Sequence, residues 1–150
     1  MLAETIDSSH KKHSALGTVD AIIQKLGRFE GNVTAFTTNN ILVGINASHV
    51  SAYPHTTNFL YLRFPINIQN KRYEFVEGGP VNPLIFRQLR NGLDTLHQPK
   101  SDTGHITFDF DRKKGTLRAL FNFTFIDSNT GEELIFTGEI KAEGMKLQQR

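Results

Sequence analysis

The sequence predicts a mainly β protein: an antiparallel β-sandwich or partly closed barrel of about seven strands, with one or two helices packed on it. Apolar and polar residues alternate with period two over much of the chain, as in strands that turn one face toward a core. Phenylalanine is abundant, with 12 Phe against 3 Tyr and no Trp, and aromatic residues favour pleated, half-buried surfaces. Clusters of turn-forming residues separate the alternating segments.

The beginning of the chain is predicted to hold a tail and a helix. Residues 1–17 have almost no periodic apolar face, so we expect a flexible N-terminal tail there and a single β-rich domain over 18–150. From Thr18, which can cap a helix, to Gly27, which can end one, the apolar spacing is helical, and a strand is the alternative for the same residues. The residues with this spacing are Val19, Ile22, Ile23 and Leu26.

The middle of the chain is predicted to hold strands and then a second helix. Alternation predicts strands over 29–35, 41–48, 60–69 and 73–75. Residues 81–97 break this rhythm, and a second helix is predicted there, because Asn82 can cap a helix and Pro83 suits its first position. The roughly helical spacing is carried by Leu84, Ile85, Leu89, Leu93 and Leu96. Gly92 weakens this helix, which we expect to end near Asn91.

The last third of the chain predicts an antiparallel meander whose inner face is mostly phenylalanine. Turns are expected over 111–115 and 127–131, where Gly115 and Gly131 can adopt positive φ. The apolar rows are Ile106, Phe108 and Phe110, then Leu117, Ala119, Phe121, Phe123 and Phe125, then Leu134, Phe136, Gly138, Ile140 and Ala142. So much apolar area must be covered in a soluble protein, so we predict that these rows form the core, with the strand over 60–68 as their cover.

The meander also resembles a known family. The stretches Thr103–Phe108, Lys114–Leu117, Phe121–Phe125 and Thr130–Ile140 are similar to the end of a family of uncharacterised bacterial β-sandwich proteins, which are often lipoproteins. In that family a Gly-Thr strand, a Thr-Gly turn and a final strand carrying Gly follow one another. The resemblance covers about 40 residues. It implies a fold and a bacterial origin, and it brings no catalytic residues.

Composition excludes several classes of protein. The absence of Cys excludes disulfides, thiolate catalysis and Cys-based zinc sites. No stretch has the length of a signal peptide or a membrane helix, so we expect a cytoplasmic protein with no membrane partner. The charges are mixed along the chain and sum to only +2, which does not favour nucleic acid as a partner.

Histidines give the candidate ligand site. His49 and His55 bracket Tyr53 in a predicted loop, and imidazoles near a phenol can bind a ligand or transfer protons. Their spacing of six fits no standard metal-ligand pair, so we predict no metal. We therefore expect His49, Tyr53 and His55 to bind ligand, and we predict no catalytic residue and no cofactor.

Other polar clusters have structural interpretations. Asp109 and Asp111 flank a turn rich in Lys and Arg, so a turn-stabilising role is expected. The cluster at 127–133 lacks the spacing of an EF-hand. A basic set with interleaved aromatics would suit single-stranded nucleic acid, although a solvated surface explains it equally. That set contains Arg63, Lys71, Arg72, Arg87 and Arg90, with Tyr61, Tyr73 and Phe86.

The function these observations favour is a non-catalytic binding or interaction module whose partner is an unknown protein or small molecule. A homo-oligomer is compatible with this interpretation. Two alternatives stay open: a carrier that holds a small apolar ligand inside the barrel or sandwich, and an enzyme that uses the loop of His49, Tyr53 and His55. A filled core with an exposed apolar patch would favour the interaction module.

Overall fold

A computed structural model describes residues 16–52 and 55–148, and these residues form strands and turns with no helix. The strands are β1 (Gly17–Ile23), β2 (Gly27–Thr38), β3 (Leu42–Ala52), β4 (His55–Pro65), β5 (Arg72–Glu74), β6 (Ile85–Arg90), β7 (Leu93–Pro99), β8 (His105–Asp111), β9 (Thr116–Ile126), β10 (Glu133–Glu143) and β11 (Lys146–Leu147). The predicted β class and antiparallel arrangement are confirmed. The strands outnumber the predicted seven.

Eight strands close into a barrel. Their order is β10-β1-β2-β3-β4-β6-β7-β9, and β9 pairs with β10 to complete the circle. All these neighbours are antiparallel, and the contact between β7 and β9 is limited to the pairs of Gln98 with Ile126 and of Pro99 with Phe125. Outside the circle, β8 pairs with β9 beside β7, β5 pairs with β8, and β11 adds a short parallel pairing to β2.

Phenylalanine fills the barrel. The ring of Phe136 on β10 lies 5.1 Å from that of Phe86 on β6 and 5.7 Å from that of Phe29 on β2, measured between centroids. It also lies against Phe121 and Phe123 of the neighbouring β9. The predicted core rows on β8, β9 and β10 are buried, apart from half-buried Gly138, and the prediction for this part is confirmed.

The strand predicted to cover the meander does so. Phe64 on β4 has its ring centroid 4.8 Å from that of Phe108 and 5.2 Å from that of Phe110, both on β8. Such aromatic pairs add about 0.5–1.5 kcal/mol beyond the burial of area. The 60–68 segment therefore packs on the phenylalanine rows across the interior.

The predicted helix over residues 18–26 is wrong. Val19, Ala21 and Ile23 point into the barrel from β1, and the residues between them point outward. Ile22 is one of those outward residues and is 51% exposed. Because Ile22 is apolar although it faces outward, the alternating pattern of the strand resembles the apolar spacing of a helix. Gly27 has the predicted positive φ, but it begins β2.

The second predicted helix, expected within residues 81–97 from Asn82 to near Asn91, is also wrong, for the same reason. This segment forms the antiparallel pair β6 and β7 with a turn at Asn91 and Gly92, both of which have positive φ. Phe86 and His97 point inward, whereas the apolar residues Ile85, Leu89, Leu93 and Leu96 are exposed. Leucines on the outer face gave the segment its helical appearance.

The predicted N-terminal tail falls almost entirely outside the described residues. Within them, Leu16 packs against the core and Gly17 begins β1. No helix that could span a membrane occurs between residue 16 and residue 148, leaving aside the undescribed residues 53 and 54.

Candidate functional site

The predicted histidine site is divided between the two faces of the β3–β4 hairpin. His49 lies on β3 with its ring 5.4 Å from that of buried Phe29, on the inner side of the wall. His55 begins β4 and is exposed. Tyr53 lies outside the described residues. The structure therefore does not bring the two imidazoles onto one surface, and the predicted ligand-binding role of the three residues stays a prediction.

The predicted acidic turn is structural. Asp111 Oδ1 accepts a hydrogen bond of 2.9 Å from the Lys114 backbone N–H, and its carbonyl accepts another from Gly115. These bonds close the β8–β9 turn, and they confirm the turn-stabilising role for Asp111. Across residues 16–52 and 55–148, no group of three His, Asp or Glu side chains is placed to hold a metal ion.

One end of the barrel carries a polar layer that the sequence did not reveal. Four residues, on β3, β4, β6 and β7, form a hydrogen-bonded row just inside the wall. His97 Nε2 lies 2.7 Å from Gln88 Oε1, Gln88 Nε2 donates to Asn58 Oδ1 at 2.8 Å, and Asn58 Nδ2 donates to Ser51 Oγ at 2.9 Å. We call this row the polar relay.

The position of the proton on the His97 ring determines which groups of the polar relay donate hydrogen bonds and which accept them. Its Nδ1 accepts a hydrogen bond of 3.2 Å from the Ser128 backbone N–H, so the proton of the neutral ring is on Nε2 and is donated to Gln88. Burial lowers the pKa of His97 below its ordinary value of 6.5, and nearby Asp127 opposes that change. The buried ring of His97 is stacked against that of Phe86.

Two cavities adjoin above the polar relay. A smaller one of about 110 Å³ and a larger one of about 230 Å³ share Leu26, Thr56, Gln88 and Arg90 as lining residues. Their walls come from the turns that join β1 to β2 and β9 to β10, and from the neighbouring ends of β3, β4, β6 and β7. We call this end of the barrel the mouth.

The outer wall of the barrel carries a second candidate surface. It is formed by Val50 of β3, Phe59 and Tyr61 of β4, Ile85, Arg87 and Leu89 of β6, and Asp94 and Leu96 of β7. We call this set the apolar face. Strand register makes it continuous, since Phe59 lies beside Arg87 and Arg87 beside Leu96. The apolar members are exposed or half-exposed.

Arg87 is the centre of the apolar face. Its guanidinium carbon lies 4.4 Å from the Phe59 ring centroid and 5.6 Å from that of Tyr61. Those two rings are parallel within 3°. Arg87 Nε is 3.3 Å from Asp94 Oδ1, within ion-pair range, but it makes no hydrogen bond in this geometry. Arginine and aromatic side chains in such an arrangement are typical of binding hot spots.

The opposite side of the barrel is charged. Strands β1 and β6 have β2, β3 and β4 between them on one side and β10, β9 and β7 on the other. On the β1 side, Arg28 pairs with Asp20 at 2.7 Å and with Glu30 at 3.6 Å, and Arg118 pairs with Glu139. The barrel therefore has a wall with several surface ion pairs on one side and, on the other, an apolar and aromatic wall whose charged members are Arg87 and Asp94.

The molecule is thus an all-β closed barrel with a filled interior, a polar mouth and one apolar face. Comparison with protein-family models, with curated proteins and with solved structures finds no match. The resemblance of the C-terminal meander to bacterial β-sandwich proteins therefore stays a prediction.

Proposed function

We propose that this protein is a non-catalytic interaction module that binds through its apolar face, and that the partner seated there is a second copy of the same chain. The observation that carries the proposal is the asymmetry of the barrel wall. Exposed apolar side chains gather around Arg87 on one side, while salt bridges cover the other. A contiguous apolar patch of this kind marks a surface that a partner covers.

The charges of the apolar face favour a second copy as the partner. The face carries one cation, Arg87, and one anion, Asp94, and the two are adjacent without a hydrogen bond at Arg87 Nε. In a two-fold dimer each surface meets an identical one, so a patch with both signs is complementary to itself. We infer that the exposed part of the Arg87 guanidinium of each copy hydrogen-bonds Asp94 of the other.

The alternative functions have less support. A carrier needs room inside the barrel, and the centre is occupied by the rings of Phe86, Phe121 and Phe136 in mutual contact. An enzyme at the β3–β4 hairpin needs its imidazoles together, and His49 and His55 face opposite ways. Neither function is favoured by a specific observation.

Sedimentation equilibrium on the full chain tests the proposal. Wild type is expected to be a dimer at about 0.1 mM, where a dissociation constant of about 10 µM already gives mostly dimer. Leu96→Glu places a charge in the apolar face and is expected to give a monomer. Leu120→Glu is the matched control, because Leu120 is 46% exposed but lies on β9 between the charged strands. A monomeric wild type, or a dimer that Leu120→Glu disrupts equally, would overturn the proposal.

A further inference from the structure

We propose that the mouth binds a small organic anion, whose carboxylate or phosphate group lies in the smaller cavity among Ser51, Gln88 and Arg90. The larger cavity would hold the rest of the molecule. This site lies at the end of the barrel and the apolar face lies on its side. The inference goes beyond the proposed self-association and does not depend on it.

Within the part of the chain that the structure describes, one of the two arginines that line the smaller cavity has no ion-pair partner. Arg28 and Arg90 both line it, and Arg28 is already paired with Asp20 and Glu30 on the outer wall. Arg90 has no hydrogen-bond or ion-pair partner among residues 16–52 and 55–148. An arginine without a carboxylate partner, placed beside a cavity, is suited to a bidentate contact with a carboxylate or phosphate.

The polar relay leaves hydrogen-bond donors pointing to the same place. Because His97 donates to Gln88 Oε1, the Gln88 amide nitrogen faces Asn58 and retains a second N–H. Because Asn58 donates to Ser51 Oγ, the Ser51 hydroxyl keeps its own proton for another acceptor. Ser51 and Gln88 both line the smaller cavity. A ligand with hydrogen-bond acceptors would bind these two remaining donors.

The larger cavity limits what else the ligand carries. Leu26 and Leu93 give it apolar surface, and Asp127 gives it a buried carboxylate. A second negative charge on the ligand would meet that carboxylate. The volume of about 230 Å³ suits a chain of a few carbon atoms. The site is therefore expected to select a monoanionic group on a short apolar stem and to reject a dicarboxylate.

Titration of the ¹⁵N-labelled full chain, followed by NMR, tests this inference. The probes are butyrate and methyl butyl phosphate, a phosphodiester with a single negative charge, with butanol and succinate as comparisons. Saturable shifts are expected at the Gln88 side-chain amide and the Ser51 backbone amide with at least one of the two monoanions, and the stronger binder identifies the head group. Butanol and succinate are expected to bind at least about tenfold more weakly.

Variants make the test specific. Arg90→Gln is expected to weaken binding of the preferred anion about 10- to 100-fold, because a hydrogen-bonded charge is lost. Arg63→Gln is the matched control: Arg63 is an exposed arginine on β4 that lies outside both cavities.

Three results would overturn the inference. They are shifts that do not saturate with either anion, an equal loss of binding in Arg63→Gln, and binding of butanol as strong as that of butyrate. The Leu96→Glu variant is expected to bind the anion normally, so failure of the dimer and failure of this site are distinguishable.

Discussion

Phe86 of β6 and Phe136 of β10 meet edge to face inside the barrel, with centroids 5.1 Å apart and ring planes at 87°. The two strands are not neighbours in the sheet, since β7 and β9 lie between them. The contact therefore joins distant parts of the wall through the interior. The interior is filled at this level, and both proposed binding surfaces lie elsewhere, at the mouth and on the outer wall.

Replacing Phe123 by Ala is expected to cost about 3–5 kcal/mol of unfolding free energy, from lost transfer energy and the cavity left behind. Phe123 is fully buried and its ring stacks on that of Phe136. Thr124→Ala on the other face of β9 is the control and is expected to cost far less. Urea denaturation of both variants measures the difference, and equal losses would contradict the register of β9.

Replacing Gly138 by Ala is expected to destabilise the barrel because β1 passes too close for a side chain. A Cβ at this position would lie 2.3 Å from the Ala21 Cβ and 2.5 Å from the Asp20 carbonyl oxygen. Gly44→Ala is the matched control, since Gly44 is also within a strand but has space around it. Thermal melting is expected to show a clearly lower Tm for Gly138→Ala alone, and similar melting of the two variants would contradict the close approach of β1 and β10.

Protonation of His97 is expected to destabilise the fold in acid. Burial lowers the pKa of His97 in the folded state, so between that pKa and 6.5 the unfolded chain binds more protons. The contribution of neutral His97 is complete above pH 6.5 and is lost as the pH falls toward the folded-state pKa. The Ser128 N–H also loses its acceptor when Nδ1 is protonated.

The variant His97→Gln isolates this effect. The stability difference between wild type and His97→Gln is expected to shrink between pH 7 and pH 5, measured by urea denaturation at each pH. His55→Gln is the control, because His55 is exposed and its replacement should leave the pH dependence unchanged. A constant difference for His97→Gln would mean that the ring does not titrate as described.

The sequence predicted a strand correctly where the outward-facing residues are mostly polar, and wrongly where several of them are apolar. On β9 the outward residues are largely polar, apart from Leu120, and its core row was predicted correctly. On β1 and β6 the outward residues include Ile22, Ile85 and Leu89, and these strands were mistaken for helices. On β6 and β7 this error coincides with the apolar face, because its exposed Ile85, Leu89 and Leu96 interrupt the alternation.

The candidate sites were predicted less well than the core. His97 lies just beyond the second predicted helix, and the exposed leucines Leu93 and Leu96 conceal the alternation that would have placed it in the interior. The polar relay joins residues of four strands, and no short spacing in the sequence connects Ser51 to His97. Arg87 and Tyr61, which are in contact, both belong to the basic set that the sequence analysis listed. Phe86 belongs to the same set but is wholly buried.

The central claim is that the apolar face joins two copies of this chain. Exchanging the charges of Arg87 and Asp94 tests this claim most directly. Arg87→Asp and Asp94→Arg each create like charges across the proposed two-fold axis, so each variant alone is expected to sediment as a monomer. Mixed in equal amounts, they present opposite charges at both contacts and are expected to form a heterodimer. Melting curves confirm that both variants are folded. Dimerisation of either variant alone, or a mixture that stays monomeric, would contradict the account.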